Sequence, residues 1–235
     1  MKRKSLAAFT LIELLVVISI IAVLAGIALP VYSTVQERGS QTKDLSNAKQ
    51  IALACKLYAA NNDGVYPNKN ADGTAISAGS DSNVYFRVLI PTYIPNEKLF
   101  FVAKSAWNTR GGIIQAPDEV ITAETDKLSA GENQYAYVQN LTETSNPSFP
   151  LIADGFVSGT PGTYTAVDTD RGGVWKGKKA IVVRADQSGT IETVRTTGPT
   201  AFKIFGKTGA TADADIFAPT SGWLSATQTP VNPTP

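Results

Sequence analysis

The strongest pattern in the chain is its opening. Over residues 9–31 the positions are apolar, with Thr10, Glu13, Ser19, Gly26 and Pro30 as the only interruptions. A helix needs about 20 apolar residues to cross a bilayer, and this run meets that length. From residue 33 to about 61 the pattern turns amphipathic. Leu45, Ala48, Ile51, Ala52, Cys55, Tyr58 and Ala59 recur three and four apart, while Lys43, Asp44, Lys49, Gln50 and Lys56 mostly fall elsewhere. That spacing predicts a continuation of the same helix, with one face packed on a sheet. Gly39 is a soft point in it, and Asn61-Asn62-Asp63-Gly64 is a stop followed by a turn. Proline removes a backbone donor and crowds the turn before it, so a kink or a melted turn is expected between Gly26 and Pro30.

Beyond Gly64 helix formers thin out and Gly, Pro, Ser, Thr, Asn and Asp rise. Val65-Tyr66-Pro67 leads into a polar loop over 68–83. A short helix is expected over 84–93, against Pro91 and Pro95, and a short strand or buried turn over 99–102. Strands are predicted at 134–139, 151–153, 179–184 and 190–194. Residues 180–191 read as two strands around a turn, a β-hairpin. A further strand is expected within 202–207. Residues 227–235 are rich in Pro and Thr and are expected to be disordered. The fold class that follows is α+β: a long N-terminal α-helix packed on an antiparallel β-sheet with long loops. The expected organisation is a basic leader at 1–8, a membrane-spanning helix at 9–32, an amphipathic helix at 33–62, a β-rich head at 63–226 and the tail. No internal repeat is evident.

Composition narrows the chemistry. With 235 residues and 43% hydrophobic content, the chain can bury one core, or one core plus a long exposed helix. The net charge is +1, and the only basic stretch is Lys2, Arg3 and Lys4. Nothing there points to nucleic acid as a partner. There is no histidine, which excludes Ser-His-Asp and Cys-His catalytic pairs and His-based metal sites. Cys55 is the one cysteine, so no intrachain disulfide forms; on an apolar face it reads as a buried structural thiol. No cofactor, metal site or catalytic residue is expected, and the chain is not read as an enzyme.

The basic cluster ahead of the apolar run predicts a cytoplasmic N-terminus. A cleaved secretory signal would have an apolar core of about 7 to 15 residues with small residues after it. Here the run is longer, and Ala7 and Ala8 precede it. A plain signal anchor fits the length but not Glu13. A carboxylate inside a membrane segment costs a few kcal/mol and usually marks a function or a paired partner. The alternative is a Glu13 that stays hydrated among the headgroups.

Ala8-Phe9-Thr10-Leu11-Ile12-Glu13-Leu14-Leu15-Val16-Val17-Ile18 resembles the N-terminal signal of type IV pilins and type II secretion pseudopilins. The resemblance covers about the first 60 residues well and the rest loosely. It implies that a prepilin peptidase cuts on the cytoplasmic side between Ala8 and Phe9 and then methylates the new Phe9 amine. Glu13 becomes the fifth mature residue, where the family has its glutamate, and Pro30 matches the proline near the end of the family's apolar run. Tyr66-Pro67 is similar to the family's post-helix turn and 180–191 to the late hairpin of pseudopilin-like proteins. In one respect the chain departs: the family nearly always has glycine before the cut, and Ala8 restricts the backbone there, so slower cleavage is expected. Losing residues 1–8 lowers Lys plus Arg from 21 to 18 against 20 acids, a mature balance of −2. The resemblance also implies that Glu13 of one subunit meets the N-terminal amine of a neighbour. A carboxylate in an apolar bundle needs such a partner, and the pairing would favour one stagger between helices. Implied partners are copies of itself and related pilins, the peptidase, an inner-membrane assembly platform and the membrane.

Other motifs are weaker. Residues 68–73 resemble the opening of a calcium loop, but its twelfth position is Gly79 where a bidentate glutamate is needed. Asp168, Asp170, Asp213 and Asp215 read as loop carboxylates. Gly111-Gly112 and Gly172-Gly173 lack the context of phosphate loops. Trp107, Trp175 and Trp223 read as core or rim residues rather than contacts. The leading expectation is a filament subunit. The alternatives are a membrane-tethered binding module that never polymerises, for which Glu13 is dispensable, and an anchored hydrolase using a carboxylate pair. The loop-rich head and the late hairpin lean toward a secretion pseudopilus rather than a pilus.

Overall fold

The computed structural model describes residues 10–77, 79–110, 112–118, 127–197, 201–207, 213–219 and 223–234. One helix, α1 (Leu11–Ala60), dominates the N-terminal side with 50 residues. Two units emerge from the packing, residues 1–42 and 43–235. In the first, Leu and Ala supply good helix formers, while Gly26, Pro30 and Gly39 oppose the helix. The backbone stays helical through Gly26 and Pro30, so the melted turn expected there is absent from this structure. The reason is one of proportion: Pro30 deletes a single bond, to the Gly26 carbonyl four residues back, from a long ladder. A Cβ added at Gly26 would meet nothing within 4 Å. Gly26→Ala is therefore expected to stabilise the helix by about 1 kcal/mol. Circular dichroism of the full chain in detergent would read this as retained or raised helicity on heating, and a loss would contradict it.

The second unit joins the rest of α1 to a five-stranded antiparallel sheet. Strands in chain order are β1 (Thr109–Arg110), β2 (Ile113–Ile114), β3 (Tyr135–Val138), β4 (Pro150–Asp154), β5 (Lys179–Arg184), β6 (Gly189–Thr193), β7 (Arg195–Thr196), β8 (Phe202–Lys203), β9 (Phe205–Lys207), β10 (Asp213–Asp215) and β11 (Pro230–Val231). The main sheet has the order β11-β3-β4-β5-β6; β1–β2, β7–β8 and β9–β10 form three small ladders. β3 and β4 are buried at every position, hence covered on both faces, which is why they lack alternation. The expected hairpin is β5–β6, with Ile181 opposite Ile191 and the turn closed by Arg184 N–H donating to the Ser188 carbonyl at 2.8 Å.

On α1, Ala48, Ile51, Ala52, Cys55, Tyr58 and Ala59 are buried, as the spacing predicts. Gly189 lets the helix approach: a Cβ there would stand 2.9 Å from Leu45 Cδ1. Gln187, in a left-handed turn conformation, donates from Nε2 to the Ala52 carbonyl at 3.3 Å. The long loops are held by buried amides. Asn83 Nδ2 donates to the Leu128 carbonyl at 2.8 Å, and Asn108 links Val102 N–H and the Gly131 carbonyl at 3.0 and 3.1 Å.

Three local expectations change. The helix expected over 84–93 is shorter and earlier, α2 (Ser82–Arg87), since Pro91 disfavours helical geometry at the residue before it. Residues 97–100 form a 3₁₀ turn, with Asn96 Oδ1 accepting from Lys98 N–H at 3.1 Å. The end of the chain is the larger correction. Residues 227–235 were expected to be disordered, yet β11 pairs with β3, Pro230 opposite Val138 and Val231 opposite Tyr137. Asn232 anchors it: Oδ1 accepts from Phe156 N–H at 2.9 Å and Nδ2 donates to the Val157 carbonyl at 3.1 Å. Composition misleads here because an edge strand tolerates proline, whose missing donor costs no ladder bond on the open side.

Candidate functional site

The candidate site is the first unit's helix from its N-terminal end. Leu11, Ile12, Leu14, Leu15, Ile18, Ile21, Leu24, Ile27 and Leu29 are all exposed. The apolar stretch is exposed throughout, and α1 is long and apolar enough to span a membrane. Each such side chain left in water forgoes about 1.5–3 kcal/mol of burial, so this surface requires a cover. The two internal polar side chains do not offset that need. Ser19 Oγ donates back to the Leu15 carbonyl at 2.8 Å, satisfying itself within the helix. The apolar helix and its signal fit a single-pass membrane anchor before assembly.

At the helix start, Glu13 Oε2 accepts from both Thr10 N–H and Thr10 Oγ1 at 2.8 Å, while Glu13 N–H donates to Thr10 Oγ1 at 3.3 Å. This is a capping box: each residue satisfies the backbone donor of the other. The spacing Thr-x-x-Glu ahead of an apolar run is its sequence signature, and sequence reasoning missed it by attending only to the cost of the carboxylate. Within one chain Glu13 is thus partnered by the helix end itself. Ala8 and Phe9, the expected cleavage and methylation positions, lie outside the described residues.

The remaining candidate residues fall in structural roles. Asp72 Oδ1 accepts from Thr74 N–H and Oγ1 at 2.9 and 2.6 Å, an Asx turn. Asp168 pairs with Lys176 at 3.2 Å, and Asp215 with Lys203 at 2.7 Å. Trp107 and Trp175 are buried, their ring N–H groups bonded to the Phe156 carbonyl and to Asp154 Oδ2, each at 2.9 Å. Cys55 is buried, and burial pushes its thiol up, away from thiolate chemistry.

No curated protein and no solved structure matches the chain. Residues 3–29 match the family model described as the prokaryotic N-terminal methylation motif. This chain carries, over the bare apolar helix and the stretch leading into it, the N-terminal signal of type IV pilins and pseudopilins.

Proposed function

We propose that this chain is a structural subunit of a type IV pilus-like or type II secretion pseudopilus filament, with no catalysis of its own. The observation that supports this most is the uncovered apolar helix beginning inside a methylation motif. Lipid covers that helix before assembly, with the N-terminus cytoplasmic. Copies of itself and related pilins cover it afterwards, in a periplasmic or cell-surface filament. Prepilin peptidase cuts between Ala8 and Phe9 and methylates Phe9, and the inner-membrane platform extracts the product. On assembly Glu13 exchanges Thr10 for the Phe9 amine of a neighbour, which sets the stagger. The carbonyl of Gly26, left without the Pro30 donor, is where the packed helix bends. The β5–β6 hairpin and the long loops favour the secretion side.

Electron microscopy of sheared surface and periplasmic fractions, with antibody to the head, tests the reading. Labelled filaments are expected when the chain is expressed with its native assembly system. Recovery of the protein only as dispersed membrane-bound single chains would contradict it.

A further inference from the structure

The second unit buries two carboxyl groups against one another. Asp44, on α1, is 2% exposed, and Asp154, at the end of β4, is fully buried. They lie side by side: Asp154 stands opposite Tyr135 in the β3–β4 ladder, the Tyr135 hydroxyl bonds Asp44, and each carboxyl acts on the other's charge. Asp154 is held as an acceptor: Gln134 Nε2 donates to Oδ1 at 2.8 Å, while Trp175 Nε1 and Ile181 N–H donate to Oδ2 at 2.9 and 2.8 Å. The Tyr135 hydroxyl on β3 donates to Asp44 Oδ1. Asp44 Oδ2 is buried and receives no hydrogen bond from any donor. Among the described residues no lysine or arginine forms an ion pair with either carboxyl.

Two ionised carboxylates touching in a dry core, without a cation, would repel strongly. One proton removes the repulsion and gives the orphaned oxygen a role, as the donor. We propose that Asp44 carries a proton donated from Oδ2 to Asp154, and that this shared proton latches the α1 segment after Lys43 onto the sheet until rising pH removes it. No atom other than the proton changes hands; it leaves to solvent as the pair ionises.

The other groups facing the pair cannot take over its charge. Tyr135 and Tyr164, both fully buried phenols, are raised by burial and, further, by nearby carboxylates: Asp44 and Asp154 act on Tyr135, Asp154 and Asp215 on Tyr164. Trp175 and Gln134 are neutral donors, as is Asn47 beside Tyr135. Burial first, and then the neighbouring Asp154 charge, push Asp44 well above the usual carboxylate range. In the unfolded chain Asp44 titrates near the ordinary value of about 3.9. Above that pH folding takes up a proton, so the latch's stability is full in acid and falls as pH rises toward the folded-state value. One proton means about tenfold in the folding constant per pH unit.

Chemical denaturation of the full chain in detergent, read by tryptophan fluorescence with Trp175 as the local reporter, tests this between pH 5 and 8. Glu132, pushed up to about 7 by burial, adds its own slope, so the readout is the difference between wild type and Asp44→Asn. The asparagine amide donates to Asp154 at every pH, and the variant is expected to lose about one proton's worth of slope, tenfold per unit. Equal slopes would overturn the proposal. So would a loss of wild-type stability on adding a chelator, which would put a cation where the proton is placed. Infrared spectra of Glu132→Gln at pH 7 give a readout independent of Asp44→Asn folding. A protonated carboxyl band is expected, and its absence would sink the latch.

Discussion

Glu13→Ala is expected to lower filament yield at least a hundredfold while leaving the head folded. In the filament proposed above, a packed bundle of apolar helices, the carboxylate would be the counter-charge for a neighbour's N-terminal amine. Deleting one member of a buried pair leaves the other uncompensated, at a cost of about 3–5 kcal/mol. Each 1.4 kcal/mol is about tenfold in an association constant, and every added subunit would incur the loss. In the single chain the effect is small: Glu13 bonds only Thr10, and losing a capping box costs about 1 kcal/mol at the helix end. The two effects separate cleanly. Filament recovery reports assembly, and protease resistance of the head reports folding. Normal recovery with this variant would remove Glu13 from the assembly account. Glu13→Gln should fall between, since an amide keeps the Thr10 contacts but carries no charge.

Removal of residues 230–235 is expected to destabilise the head by about 3–5 kcal/mol. The deletion takes away β11 and the Asn232 clasp. Ser82 N–H loses its acceptor, the Asn232 carbonyl at 2.8 Å, and Phe156 N–H loses Asn232 Oδ1. Thr234 N–H no longer reaches Asn83 Oδ1 at 3.1 Å. Net hydrogen bonds contribute about 1 kcal/mol each, and burying Val231 adds roughly 1.5 kcal/mol. The deletion also bares the edge of β3, a template for pairing with other chains. Equilibrium denaturation should show a lower midpoint, and light scattering more aggregation. An unchanged midpoint would mean that the final strand is ornamental. Asn232→Ala alone should reproduce about half of the loss, because the clasp is its side chain's work.

The sequence carried the two periodicities well, because each reports one physical constraint. The apolar run over 9–31 has the length a bilayer demands, and the three-four spacing from Leu45 to Ala59 reflects one face on a sheet. β5, whose six residues are mostly buried, was legible as an apolar run closed by a turn. What escaped was polar. Asp44 stands four residues before Ala48 and seven before Ile51, on the apolar face, yet its charge placed it outside. Its partner Asp154 lies about 110 residues away in sequence, and no local pattern links them. The capping role of Glu13 was readable from Thr10 but was overshadowed by its cost in lipid. The final strand escaped because its residues take their order from β3, not from each other.

The central claim rests on what happens at Ala8 and Phe9. Peptide mass spectrometry of the protein from native membrane and sheared-surface fractions reads this directly. The account predicts a mature chain that starts at N-methylated Phe9, enriched in the sheared fraction, with some uncut precursor in the membrane because Ala8 slows the cut. A chain that begins at Met1 or Lys2 in every fraction would contradict it and leave a permanent membrane-tethered module.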